Sequence, residues 1–390
     1  MAEAIRFLGL MNEANSVGSF PTTLKDLAPA DARLALSIHR FVTRELGVDW
    51  RGAGLVVALS AGLDSTALLL ILSALRQRLN FSLTAAHLDH GLRAESGQDA
   101  EAARELCRRL EVPFRLRRCE VAVRSARTGL EDAGRRARYA FLEEVRQDVG
   151  AHWIVTAHHV GDLAEDVLLR LTRGASWPGL GGMPGVGGPC GLLGADGKGR
   201  VLRPLLLVEK ARLRALLERQ GLPWREDASN EERDFRRNRM RLDVLPLLLA
   251  ENPDLYDVTR SLWRVARMDE EYWREMVFSV PEFRSEGVFL RRAALAALPR
   301  PGRLRAYVEA VRRLGKGQVR SSALFALDDA WEQRRHGRVF QFPGGVRAEL
   351  DARGVLFCSD DTRDKALRCG LKRRNGAKQS AGFGERGKTD

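Results

Sequence analysis

Between residues 54 and 220, short apolar runs alternate with longer amphipathic stretches, and that alternation leaves the chain few architectures. Residues 55–59, 82–87, 114–119, 153–157 and 201–207 read as strands. Residues 66–79, 97–110, 130–149, 162–173 and 209–220 read as the helices between and after them. Upstream, Ala35, Ile38, Phe41, Val42 and Leu46 share one helical face. Strands and helices alternating at these lengths predict an α/β fold: a parallel, Rossmann-like sheet with helices on both faces. Such sheets bind ligands at the carboxyl ends of their strands, so the loops after the strands are where chemistry belongs.

A chain of 390 residues exceeds what one core usually organises. Residues 1–31, broken by Gly18, Pro21 and Pro29, read as an N-terminal extension. Residues 32–235 form the sheet domain, with a glycine-rich loop at 179–199 holding ten glycines that reads as a mobile functional segment. Residues 236–280 read as a helical linker interrupted by Asn252-Pro253. Residues 281–360 read as a small α+β domain, with helices at 303–314 and 321–333 and strands flanking Pro343-Gly344-Gly345. Residues 361–390 read as a flexible basic tail.

Composition then narrows the partners. The most apolar stretch, residues 67–75, is interrupted by Ser73 and is too short to span a bilayer, so no membrane is expected. Five cysteines without a C-x-x-C, and no secretory pattern, point to a reducing cytoplasm and away from a zinc knuckle. The net charge is +13, and 56 of the 64 basic residues are arginine. Such a balance points to a polyanionic partner, nucleic acid first.

Three loops carry the chemistry. After the first strand comes Ser60-Ala61-Gly62-Leu63-Asp64-Ser65-Thr66, then a helix. A strand, a turn of small residues and a helix N-terminus make an anion site of unpaired N–H groups. It lacks the lysine of a Walker loop and the spacing of a dinucleotide loop. Asp64 and Ser65 would also serve simply as helix caps. After the second strand, His87, Asp89, His90 and Arg93 cluster at the same sheet edge. The third loop, His158-His159, leads into a helix bearing Asp162, Glu165 and Asp166 opposite an apolar face of Val160, Leu163, Ala164, Val167, Leu168 and Leu171. A solvated amphipathic helix accounts for that spacing alone. The two histidines, beside the other loops, favour a site.

The first loop resembles the S-G-G-x-D-S pyrophosphate loop of the ATP-pyrophosphatase (PP-loop) superfamily, with Ala61 in place of its first glycine. Asp89–Ser96 resembles the D-H-G-L-R-x-x-S stretch of one branch, the tRNA(Ile)-lysidine synthetases. The third loop keeps His158, His159, Asp162 and Glu165 of H-H-x-D-D-x-x-E-T, with Gly161 for the first aspartate and Asp166 for the threonine. Arg135-Arg136-Ala137-Arg138-Tyr139, the glycine loop after Arg173, Arg203-Pro204-Leu205-Leu206, and Asp227, Ser229, Asn230, Arg237, Asn238 and Arg241 extend the ordered match from about residue 55 to residue 247.

The resemblance implies an adenine nucleotide alpha hydrolase-like fold and a ligase. It would join free lysine to C2 of the wobble cytidine in the isoleucine tRNA with a CAU anticodon, through an adenylated base, releasing AMP and pyrophosphate. It implies ATP and Mg²⁺ as cofactors and a homodimer as assembly. It assigns Ser60, Ala61, Gly62, Leu63, Asp64, Ser65 and His87 to ATP, and Asp64 and Glu165 to the lysine. It assigns Asp64, Arg135, Asp162 and Glu165 to catalysis, and Arg203, Arg237, Asn238 and Arg241 to the tRNA. The metal ligands are left open. Two other readings compete: a thiolase-like adenylating enzyme, which commonly carries the paired cysteines missing here, and a non-catalytic RNA-binding relative, for which Ala61, Gly161 and Asp166 speak.

Overall fold

The computed structural model describes residues 22–89, 96–118, 127–188, 200–225, 236–314, 319 and 321–359. His90, Arg93, Asp227, Ser229, Asn230 and the basic tail lie outside the described residues. The chain divides into two compact units: residues 1–169 with 182–263, and residues 170–181 with 264–390. The region expected as a linker is thus shared, the division falling at Trp263 and Arg264 within one long helix.

The first unit holds a six-stranded sheet of order β3-β2-β1-β4-β6-β5. Its strands are β1 (Gly54–Ala58), β2 (Ser82–Asp89), β3 (Phe114–Arg118), β4 (Trp153–Val155), β5 (Val186–Gly187) and β6 (Val201–Leu202). β1 runs parallel to β2 with Gly54 opposite Ser82, and parallel to β4 with Leu55 opposite Trp153. Among these strands only β5 is antiparallel, against β6. β6 is shorter than the apolar run 201–207 suggested. Arg203 N–H donates to Gly185 O and Pro204 has no N–H to give. The chain then folds into turns in which Leu206 and Val208 donate to Arg203 and Leu205.

The helices are α1 (Pro29–Arg40), α2 (Leu63–Leu79), α3 (Ser96–Arg109), α4 (Arg127–Asp148), α5 (Val160–Thr172), α6 (Lys210–Arg219), α7 (Arg236–Arg239), α8 (Leu245–Glu251) and α9 (Leu255–Val277). Leu68, Leu69, Leu70, Ile71 and Leu72 are all fully buried. A helix buried all round like α2 lies in the middle of the core, which explains why its sequence shows an apolar run without a polar face. The strand order reverses between β1 and β4, so the loops leaving these two strands flank the crevice where such sheets bind ligands.

The second unit contains an antiparallel sheet of order β7-β8-β11-β10-β9. Its strands are β7 (Pro281–Arg284), β8 (Gly287–Arg291), β9 (Arg338–Phe342), β10 (Val346–Leu350) and β11 (Gly354–Ser359). The helices α10 (Arg292–Ala296), α11 (Arg300–Leu314) and α12 (Ser321–Glu332) complete it. Gly344 and Gly345, at φ +81° and +71°, close the β9–β10 hairpin. Asp328, fully buried, accepts two bonds from Arg303 and one from Tyr307, which satisfies a charge the core could not otherwise hold. Among the described residues no helix is long and apolar enough to cross a membrane.

Candidate active site

The loop after β1 is held by its own hydroxyls. Ser65 Oγ accepts from Ser60 N–H at 3.1 Å and lies 3.1 Å from both Ser60 Oγ and Gly62 O. The loop is further pinned by Arg225, whose backbone N–H donates to Ala61 O at 2.9 Å. Gly62 caps α2, so Leu63, Asp64 and Ser65 present first-turn N–H groups that have no partner four residues back. The Leu63 side chain is buried in the core, so only its backbone can serve a ligand. Ala61 adopts φ +60°, a left-handed conformation that costs a residue with a Cβ about 1 kcal/mol. The turn therefore keeps the shape a glycine would give it.

His87, on β2, is buried beside this loop. Its Nδ1 donates to Leu59 O at 2.8 Å, which leaves Nε2 for a ligand. Burial holds its pKa below the ordinary value and keeps the ring neutral. Asp89 is buried and pairs with Arg118 at 3.5 Å.

The loop after β4 builds the other wall. His159 precedes α5 and accepts from Gly161 N–H through Nδ1 at 3.0 Å, while Asp162 Oδ2 accepts the His159 N–H at 2.9 Å. This is a reciprocal cap of the kind that Ser/Thr and Glu usually make. The other ring nitrogen is Nε2. That atom lies 3.8 Å from Asp64 Oδ2 and 3.6 Å from Asp162 Oδ2. A Cβ on Gly161 would stand 2.7 Å from His159 Cε1, so the ring as placed leaves no room for one.

Asp162 and Glu165 are both buried and both bound by two arginines. Arg237 reaches Asp162 Oδ1 at 2.7 Å and Glu165 Oε2 at 2.8 Å; Arg241 reaches Glu165 Oε1 at 2.5 Å. Burial alone would raise the Asp162 pKa, but His159 and Arg237 overrule it and hold the carboxyl well below the usual range. His158, bonded to Thr156 Oγ1 at 2.9 Å, is pushed down to about 3, by burial first and then by Arg203, Arg237 and Arg135, against the pull of Asp162.

Asp64 differs from the other acids. Its Oδ1 is buried with no partner, and its Oδ2 has only long contacts, to His159 Nε2 at 3.8 Å and Lys210 Nζ at 3.6 Å. Sequence reasoning missed Lys210, which stands at the start of α6 with no motif around it. It also missed the arginine clasp, because Arg237 and Arg241 lie more than 70 positions from the acids they hold.

The structure places three of the basic residues expected at the tRNA against protein partners. Arg203 is 4 % exposed and donates to Pro184 O at 2.9 Å, so it braces the loop before β5. Arg237 and Arg241 face the acids, not an open surface. Asn238 is half-buried in the same segment, and Arg135 is exposed on α4, over the Tyr139 ring.

Comparison with known proteins fits this geometry. Residues 35–248 match the PP-loop domain family. The tRNA(Ile)-lysidine synthase of Nitratidesulfovibrio vulgaris is 44 % identical over 80 % of this chain and 94 % of its own length. The enzymes of that name from Geobacter sulfurreducens and Thermus thermophilus are 40 % and 38 % identical. Their alignments cover 59 % and 78 % of this chain, which spans 47 % and 56 % of their lengths. Among solved structures, a U34-tRNA thiolase from Methanococcus maripaludis matches at TM-score 0.47 and 16 % identity, over 61 % of this chain and 78 % of that one. On the family match and the near full-length relative, the chain belongs to the PP-loop family and, within it, to the tRNA(Ile)-lysidine synthases.

Proposed function

We propose that the chain forms lysidine on isoleucine tRNA with a CAU anticodon, in the cytoplasm, using ATP and free lysine. The observation that carries this reading is a phosphate-type loop at the sheet's reversal point, facing buried acids across the crevice.

The first-turn N–H groups of α2, with Ser60 and Ser65, receive the ATP phosphates. His87 Nε2, neutral and accepting, suits the amino group of a base. Asp64, whose Oδ1 is buried and has no hydrogen-bond partner, would hold a Mg²⁺. Among the described residues no cluster of three acids, histidines or cysteines holds a metal unaided. The ion would supply charge neutralisation on the phosphates.

The cytidine O2 attacks the α-phosphorus and pyrophosphate leaves; the lysine side-chain amine then attacks C2 and AMP leaves. The unstacked base must reach the crevice for either step. Glu165 and Asp64 are the proposed ligands of the lysine. Asp162, held strongly ionised, is a poor proton acceptor, so its proposed part is to orient His159 and the arginine pair. Arg135, exposed beside the site, is free to meet the base or its phosphate. Asn238, between Arg237 and Arg241, is the proposed tRNA contact of that segment. A homodimer is the proposed assembly, and the mass in solution checks it.

Incubation with ATP, labelled lysine and the isoleucine tRNA tests the reading. Lysine incorporation that spares the CAU methionine tRNA is expected. Absence of incorporation, or equal labelling of both tRNAs, overturns it.

A further inference from the structure

We propose that Lys210 is a catalytic residue of the adenylation step, its ammonium meeting the phosphate oxygens of ATP as pyrophosphate departs; this rests on the function proposed above. Three observations converge on it. The first is position. Val160 N–H donates to Val208 O at 3.0 Å, and Arg260 donates to Leu207 O at 2.9 Å and to Glu209 at 2.6 Å. The segment 207–210 is therefore clamped between the start of α5 and α9. The clamp delivers Lys210, the first residue of α6, to the phosphate loop, with Nζ 3.6 Å from Asp64 Oδ2.

The second is availability. Nearby basic side chains are bound at short range to carboxylates: Arg225 to Asp99 at 2.8 Å, Arg237 to Asp162 at 2.7 Å and Arg241 to Glu165 at 2.5 Å. The Lys210–Asp64 separation is beyond hydrogen-bonding range, and the lysine side chain is 47 % exposed. An ammonium so placed can move onto an incoming anion without first breaking a strong pair.

The third is residue choice. The chain uses 56 arginines and eight lysines, and only Lys25 and Lys210 fall among the described residues. Arginine is used where a fork must bind a carboxylate, as at Arg237 and Arg241. A compact point charge on a flexible stem suits three phosphoryl oxygens whose geometry changes during the reaction. In the step, the bond between the α-phosphorus and the bridging oxygen breaks and the bond to cytidine O2 forms. The Lys210 ammonium offsets the negative charge that builds on the departing pyrophosphate.

The test is single-turnover pyrophosphate release with ATP and tRNA but without lysine, which isolates adenylation from lysine binding. Lys210→Met is expected to slow this step by about 10²–10³-fold, the usual effect of removing one charge-stabilising donor. Binding of a non-hydrolysable ATP analogue is expected to weaken less than tenfold and the melting temperature to hold. In Lys210→Ala, added ethylammonium is expected to restore the rate in proportion to its concentration, which a purely structural role would not allow. Lys25→Met is the control and keeps the wild-type rate. A Lys210→Met rate within threefold of wild type overturns the assignment. So does intact adenylation with a changed KM for lysine, or a defect that ethylammonium does not rescue. If the wild-type chain releases no tRNA-dependent pyrophosphate, it is the proposed function that fails, and not this assignment alone.

Discussion

Two small residues, Ala61 and Gly161, stand where the motifs that this sequence resembles have others, and their departures have opposite physical meaning. Ala61 pays for its methyl group in backbone strain at φ +60°, so Ala61→Gly relieves about 1 kcal/mol while returning some of it to the unfolded chain. The exchange is expected to leave stability equal or slightly higher and to tighten ATP binding modestly. Gly161 is not a defect to be repaired. A Cβ at this position collides with the His159 ring, which caps α5 and faces Asp64 and Asp162. Gly161→Asp is therefore expected to lower both activity and stability, the latter by about 1 kcal/mol for the broken cap. Thermal melts and lysine incorporation on the two variants check this. A gain of activity in Gly161→Asp would show that the ring position carries no function.

The start of α5 concentrates charge in the core, and it makes the unit sensitive to acid. His158 is neutral with a pKa of about 3, and Asp162 is ionised with a pKa below its ordinary value. In both cases the unfolded chain binds protons more readily than the folded one, so stability falls as pH falls. The contribution of His158 is complete above the unfolded value near 6.5 and is lost progressively below it; that of Asp162 begins to fade only near pH 4. The melting temperature is expected to drop between pH 7 and pH 4.5, and His158→Asn to flatten that slope. An unchanged slope in the variant would refute the role of His158. This helix also shows how far a sequence can be read. The strands β1 and β2 and the acids of α5 are legible because apolar runs and helical spacing are local patterns. The partners of those acids are not, because Arg237 and Arg241 reach them across more than 70 positions. The truncation of β6 is legible only in hindsight, since Pro204 acts through a hydrogen bond that the loop before β5 takes instead.

Net charge, finally, divides between folded surface and tail. The last 28 residues carry nine basic and three acidic side chains, close to half of the net +13. Many arginines of the described units are already committed to carboxylates, as at Arg219 with Asp31 and Arg303 with Asp328. The tail is thus the largest reserve of charge for a polyanion. Truncation after residue 362 is expected to weaken tRNA binding most at low salt. The slope of log affinity against log salt is expected to become shallower by about 0.7–0.9 for each phosphate that the tail no longer neutralises. Saturating tRNA should restore the turnover rate, because the crevice between β1 and β4 is untouched. The preference for the isoleucine over the methionine tRNA should also survive, since binding to phosphates positions the RNA without reading its bases. Affinity and salt slope unchanged by truncation would remove the tail from the RNA interface. A truncation that kept affinity but abolished the preference would instead make the tail a reader of sequence, which its glycines and scattered lysines do not equip it to be.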